Sequence, residues 1–228
     1  MYRTSTTVAM SSQSTRNSFI RKTYSHLLLA VLGFAGFEAF LFSSGLAAVI
    51  GNFLFSVNWL FVIGGLMIFS WLATRFAQST SSKPVQYFGL ALYVVAQAII
   101  FVPLLLIAQA KAGGGVIESA GLATLTGFIG LTLIAFGTRA DFSWMGKFLL
   151  WGGVGALVLI VCGSIFGFEL GTFFSVGMII FAGAAILYDT SNIIHHYGED
   201  DYVAASLQLF ASVTLMFYYI LRFFTSRD

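Results

Sequence analysis

Asp189 is the residue of this sequence best placed to do chemistry, because it ends a long apolar run. The run extends from Phe173 to Tyr188, and the aspartate follows directly. A carboxylate at membrane depth costs about 2.5–3.5 kcal/mol on insertion scales. An ionisable residue in such a position marks a candidate functional site, and it needs a polar partner nearby.

Arg75 is one candidate partner for Asp189. It closes an apolar segment that runs toward the same side of a membrane as the segment carrying Asp189. Asp189 lies roughly 9 Å from its boundary at 1.5 Å per residue, so the two side chains are expected in one leaflet. As a structural latch the pair would only neutralise the buried carboxylate, whereas as a gate it would break on protonation.

Ser212 and Gln208 are a second pair of candidate partners. They are separated by one helical turn, so they share one face of the last apolar segment. Ser212 is expected at nearly the depth of Asp189, and both side chains could donate hydrogen bonds to its carboxylate. The alternative is generic hydrogen bonding between helices, worth less than about 1 kcal/mol for each contact.

Glu38 lies near the middle of the first apolar segment. One interpretation is a relay residue for protons or cations, since buried ionisable groups often line such routes. The other is a protonated glutamate that makes a hydrogen bond to a neighbouring helix. The sequence leaves both open.

His195 and His196 precede an acidic stretch at residues 199–201, which could indicate a metal site. Adjacent histidines do not share a helical face, however, so a solvated loop is favoured over metal ligation. No nucleophile–base set, glycine-rich phosphate loop or zinc-protease motif occurs. The sequence therefore predicts no enzyme, no cofactor and no metal site, and a net charge of +2 gives no reason to expect nucleic acid binding.

The composition predicts membrane-spanning helices as the elements that carry these residues. The chain is 58% hydrophobic and 9% charged, whereas soluble domains carry about 25% charged residues. Seven apolar segments are each long enough to cross hydrocarbon roughly 30 Å thick. They are Ser25–Ile50, Val57–Phe76, Tyr87–Ala110, Gly121–Gly137, Lys147–Gly167, Gly171–Ile194 and Val203–Phe224. The predicted fold is an all-α polytopic membrane protein, a bundle of seven transmembrane helices.

The charged residues predict the domain organisation and the orientation. Residues 1–24 are expected to form a flexible polar cytoplasmic tail, and residues 25–228 one transmembrane domain. With the N-terminus in the cytoplasm, eight of the 11 lysines and arginines lie inside, as the positive-inside rule requires. Only Lys111, Arg222 and Arg227 then lie outside.

Several ordered motifs resemble the Bax inhibitor family of membrane proteins. The stretches that carry the resemblance are Arg21–Tyr24, the segment around Pro103, Gly137–Ser143, Ile186–Thr190 and Leu207–Phe224. The resemblance implies a seven-helix bundle whose seventh span is surrounded by the others. For bacterial-type members it also implies a calcium leak controlled by the protonation of two paired aspartates.

The resemblance assigns roles to three residues of this chain and shows one departure. Asp189 matches the aspartate of the sixth span, and Arg75 matches an arginine that latches the pair. Ser212 stands where the second aspartate is expected, so the paired-carboxylate sensor is incomplete. Without a second carboxylate there is no repulsion at the site, which predicts a weak response to pH near 7.

Three functions remain open from the sequence. The first is a calcium or cation leak with Asp189 at the gate. The second is a non-conducting regulator that binds another membrane protein, such as a membrane protease. The third is a small subunit of a larger complex. All three place the chain in a lipid bilayer, with the bacterial inner membrane as the expected location.

Overall fold

The computed structural model describes residues 7–79, 82–112 and 115–226. These residues form eight α-helices and one short 3-10 helix, Val8–Met10. The α-helices are α1 (Gln13–Ser43), α2 (Leu46–Ser56), α3 (Trp59–Ala77), α4 (Lys83–Ala112), α5 (Gly115–Thr138), α6 (Met145–Phe166), α7 (Thr172–His195) and α8 (Tyr202–Thr225). Seven of them are long and apolar enough to cross a membrane, and α2 is the shorter exception. The predicted all-α bundle of seven spans is confirmed.

The first helix begins earlier than the sequence predicted. It starts at Gln13 rather than Ser25, because Ser12 caps it: the Ser12 hydroxyl accepts a hydrogen bond from the Thr15 amide at 3.3 Å. The boundary of the predicted flexible tail at residue 24 is therefore wrong for residues 13–24, which are helical. Residues 1–6 of that tail lie outside the described part of the chain.

The first predicted segment also ends differently. It was expected to continue to Ile50, but α1 ends at Ser43 and the chain turns at Gly45. Gly45 has a φ of 78°, a left-handed conformation that glycine adopts without a steric cost. The remaining apolar residues form α2, which packs against α4.

Helix α8 occupies the centre of the bundle and contacts α1, α3, α4, α5 and α7. Aromatic side chains fill its junction with α1 and α4. Phe217 stacks on Phe101 at 5.5 Å between ring centroids, and Phe34 meets Phe101 edge-on at 5.1 Å. This arrangement confirms that the last span is surrounded by the others, and it brings α8 against the segment that carries Asp189.

The segment before α1 packs against the loop between α7 and α8. The Val8 amide donates a hydrogen bond to the Tyr197 carbonyl at 2.9 Å, and the Val8 side chain is fully buried. Thr7 forms an isolated antiparallel bridge with Gly198. We call this end of the bundle the N-terminal face, and the other end the opposite face.

Candidate functional site

Asp189 and Ser212 meet in the interior of the bundle. Asp189 lies on α7 and Ser212 on α8, and the two residues are 2% and 5% exposed. The Ser212 hydroxyl donates a hydrogen bond to Asp189 Oδ2 at 2.5 Å. The two helices pack along much of their length, so this polar contact is held between two rigid elements.

A cavity of about 500 Å³ lies against this contact. It is bounded by α3, α4, α6, α7 and α8. The oxygen-bearing side chains on its wall are those of Tyr93, Gln97, Tyr188, Asp189, Gln208, Ser212, Thr214, Tyr218 and Tyr219. The remaining wall is largely apolar, and the charged side chains on it are Asp189 and, toward the opposite face, Arg222.

Gln208 lines this cavity, one turn before Ser212 on α8. Its side chain is exposed to the cavity rather than buried in a helix contact. Ser212 is therefore the hydrogen-bond donor that contacts Asp189 directly, and Gln208 lines the space beside the pair.

Arg75 does not pair with Asp189. Its side chain is exposed, and its guanidinium lies 5.5 Å from the centroid of the Trp71 ring. The only ion pair between described residues joins His196 and Asp141. The expected latch fails because α3 packs mainly on α4, while α8 and the cavity lie between α3 and α7.

Glu38 is buried but lies apart from the Asp189 cavity. It is 7% exposed, and neither carboxylate oxygen has a hydrogen-bond partner among the described residues. It lies one turn beyond Phe34 on the same face of α1, and Phe34 packs against α4 and α8. One interpretation of Glu38 required a hydrogen bond to a neighbouring helix. Among the described residues, that bond is not formed.

The two histidines lie at the N-terminal face, where His195 contacts its own helix and His196 contacts the α5–α6 loop. His195 Nδ1 lies 3.0 Å from the Ser191 carbonyl, and His196 Nε2 lies 3.3 Å from Asp141. The Ser143 amide donates to Asp141 at 2.9 Å, and this bond, with smaller effects of the Ser143 and His196 side chains, lowers the pKa of Asp141 to about 2. Within the described residues, no three histidine, cysteine or acidic residues cluster as a metal site would require.

Two polar contacts near the site were not predicted from the sequence. Tyr93 and Gln97 lie one turn apart on α4, and the Gln97 amide donates to the Tyr93 hydroxyl at 2.9 Å at the cavity wall. Their spacing on one helical face was the available signal. Ser191 accepts a hydrogen bond from the Phe142 amide at 2.9 Å and so fastens the α5–α6 loop to α7, a contact no local pattern indicates.

Comparison with known proteins places the chain in a family. A family model described as inhibitor of apoptosis-promoting Bax1 matches residues 16–228. Bax inhibitor 1 of Schizosaccharomyces pombe is 29% identical, over 97% of this chain and 81% of that protein. An uncharacterized protein of Helicobacter pylori is 31% identical, over 92% of this chain and 89% of its own length. An uncharacterized protein of Pseudomonas aeruginosa is 36% identical over 49% of this chain, and the match spans half of that relative.

Proposed function

Because this chain belongs to the Bax inhibitor family of integral membrane proteins, we propose that it is a leak pathway for calcium or a similar cation, with Asp189 at its narrow point. The observation that carries this proposal is the cavity beside Asp189. Its wall follows α8 from Gln208 to Arg222, about 21 Å at 1.5 Å per residue. That distance is more than half of a hydrocarbon core roughly 30 Å thick.

Two further cavities adjoin the first one. A cavity of about 660 Å³ at the opposite face shares Ile160, Tyr218 and Arg222 with it. A cavity of about 400 Å³ at the N-terminal face shares Tyr188 with it. The Asp189–Ser212 contact therefore lies toward the N-terminal end of a row of three spaces, where a constriction would control passage.

The chemistry of the central cavity suits weak cation binding. Calcium prefers oxygen ligands, and a carboxylate with hydroxyl and amide oxygens supplies them. A single acidic group among neutral oxygens binds less tightly than several carboxylates. Conduction requires binding that is weak enough for the ion to leave.

Thiol labelling on α8 tests this route. In a background with the single cysteine, Cys162, replaced by alanine, Leu215→Cys places a thiol on the cavity wall. Val213→Cys is the matched control, because Val213 lines a different groove formed with α1 and α5. A cationic thiol reagent should reduce calcium flux through Leu215→Cys only. Equal effects at both positions, or none at Leu215, would contradict a route through this cavity.

A non-conducting regulator is the second candidate. The S. pombe relative is a Bax inhibitor, as is the family whose model matches this chain. Helix α6 packs chiefly on α7 and leaves a large apolar face exposed. Trp151, for example, is 74% exposed on that helix. A membrane-protein partner such as a membrane protease could bind there, either as a target of regulation or as the larger complex of which this chain is a subunit. Two results together would favour this function. The folded protein would pass no cation in liposomes, and its α6 would crosslink specifically to one such partner in membranes.

We place the N-terminus in the cytoplasm of a bacterial cell and the chain in its inner membrane. This orientation puts Lys83, Arg139 and Lys147 on the cytoplasmic side, in agreement with the positive-inside rule. Cysteines introduced at Ser5 and Ser226 test it with a reagent that cannot cross the membrane. Labelling from outside should occur at Ser226 alone, and labelling at Ser5 alone would reverse the assignment.

A further inference from the structure

The cavity at the opposite face is lined by groups of both charges. It lies between the ends of α4, α6 and α8 and the start of α7, and its volume is about 660 Å³. The cationic side chains on its wall are Lys111 and Arg222, and the acidic one is Glu169. Apolar residues, including Leu104 and Ile107, form the adjoining wall.

The start of α7 adds a partial positive charge to this cavity. The helix begins at Thr172 after Gly171, and Gly171 provides no side-chain cap. The first amide groups of a helix lack partners within the helix, and the helix dipole favours an anion beside them. This 24-residue helix therefore presents an uncapped N-terminus to the cavity.

Ser175 is an independent sign of a ligand. It is 1% exposed and lines the cavity, yet its hydroxyl has no hydrogen-bond partner among the described residues. A buried hydroxyl without a partner is costly, so such groups usually bind a ligand or water. Ser175 lies one turn into α7. The amides of Phe174 and Ser175 bond to the Gly171 carbonyl, so the Ser175 hydroxyl can join the amides of Thr172 and Phe173 around one anion.

Arg222 is held in position for the same role. One of its terminal nitrogens donates a hydrogen bond to the Leu170 carbonyl at 2.8 Å. A guanidinium has five N–H donors in a planar fork, so this bond orients the group and leaves donors free. Arg222 can therefore contact a phosphate while it remains attached to the α6–α7 loop.

We propose that this cavity binds the phosphoethanolamine headgroup of a membrane phospholipid. Lys111, Arg222, the Ser175 hydroxyl and the start of α7 contact the phosphate, and Glu169 accepts a hydrogen bond from the ammonium group. The acidic Glu169 would repel a simple anion, whereas a zwitterionic headgroup satisfies both charges. The apolar wall and the position at the helix ends fit a lipid rather than a free phosphate. The bound phosphate would also neutralise the charges of Lys111 and Arg222 near the pathway proposed above. The lipid site itself does not depend on conduction.

Native mass spectrometry of the purified full chain tests this site with four probes. They are phosphatidylethanolamine, phosphatidylglycerol, soluble glycerophosphoethanolamine and inorganic phosphate. Phosphatidylethanolamine should bind best, and the two soluble probes should bind much more weakly. Equal retention of the two lipids would overturn the assignment of the headgroup, and equally tight binding of a soluble probe would overturn the lipid source.

Four variants test the residues. Lys111→Gln and Arg222→Gln should each weaken phosphatidylethanolamine binding about tenfold, since each removes a charge-assisted bond. Glu169→Gln should abolish the preference over phosphatidylglycerol. Lys147→Gln is the matched control, because Lys147 is exposed at the start of α6 on the N-terminal face. Since Arg222→Gln also loses the bond to Leu170, Lys111→Gln and Glu169→Gln decide the outcome: unchanged binding in both would refute the site.

Discussion

The hydroxyl of Ser212 lies 2.5 Å from Oδ2 of Asp189, so a neutral side chain on α8 satisfies the buried carboxylate of α7. A second carboxylate in this position would repel the first, and the two would titrate as one unit. Serine removes that repulsion and supplies a donor instead. The contact thus joins α7 to α8 through a polar interaction in the interior of the bundle.

The first prediction concerns this contact. Ser212→Ala leaves a buried acceptor without its donor and should lower the free energy of unfolding by about 1–3 kcal/mol. Ser206→Ala is the control, since the Ser206 hydroxyl is equally buried on α8 but bonds only to the Val203 carbonyl of its own helix. Thermal unfolding in detergent measures both. A larger loss for Ser206→Ala would contradict the importance of the contact between helices.

The second prediction concerns the docked N-terminal segment. Val8→Asp should release it from the α7–α8 loop, because the fully buried valine contributes about 1.5–3 kcal/mol. Met10→Asp is the control, since Met10 is 83% exposed two residues away. Hydrogen exchange of the amides at residues 196–201 should accelerate in Val8→Asp alone. Unchanged exchange in that variant would show that the segment does not hold the loop.

The third prediction concerns Glu38. A buried carboxylate without hydrogen-bond partners destabilises the fold, so Glu38→Met should raise the free energy of unfolding by about 1–3 kcal/mol. Glu118→Met at an exposed position of α5 should change it by less than about 0.5 kcal/mol. Thermal unfolding checks both values. If Glu38→Gln keeps the stability but abolishes cation flux, Glu38 is a relay residue rather than a packing residue.

The fourth prediction is a pH dependence at Asp141. Its pKa of about 2 in the folded protein lies below the ordinary value of about 3.9, so its contribution to stability is present above about pH 4 and is lost as the pH falls toward 2. Asp141→Ala should therefore lower the melting temperature at pH 7 more than at pH 2. Asp200→Ala, in the exposed neighbouring loop, is the control. If the loss of melting temperature in Asp141→Ala does not shrink as the pH falls, the contacts of Asp141 with Ser143 and His196 are not its cause.

The sequence predicted the spans well where strong local signals mark their ends. Gly171 before Thr172 and the polar loop after His195 bound α7 almost as predicted. The same pattern predicted the burial of Asp189 and placed Ser212 and Gln208 on one face of α8. These properties follow from helix geometry and hydropathy, which act over a few neighbouring residues.

The sequence could not predict contacts that depend on how distant helices pack. Depth alone made Arg75 a plausible partner of Asp189, but α3 packs on α4, and the guanidinium turns toward Trp71. Val8 belongs to a run of only three apolar residues in a polar segment, and its partner Tyr197 is far along the chain. Neither pairing leaves a periodic signal in the sequence.

Calcium flux into liposomes that contain the purified full chain tests the central claim most directly. Wild-type protein should give a measurable flux at pH 7, and Asp189→Asn should reduce it at least tenfold, while Asp141→Asn should not. Ser212→Asp should make the flux strongly dependent on pH, because two carboxylates then share the site. A wild-type flux that Asp189→Asn leaves unchanged, or that already switches between pH 6 and 8 and is unaffected by Ser212→Asp, would contradict the role assigned to Asp189.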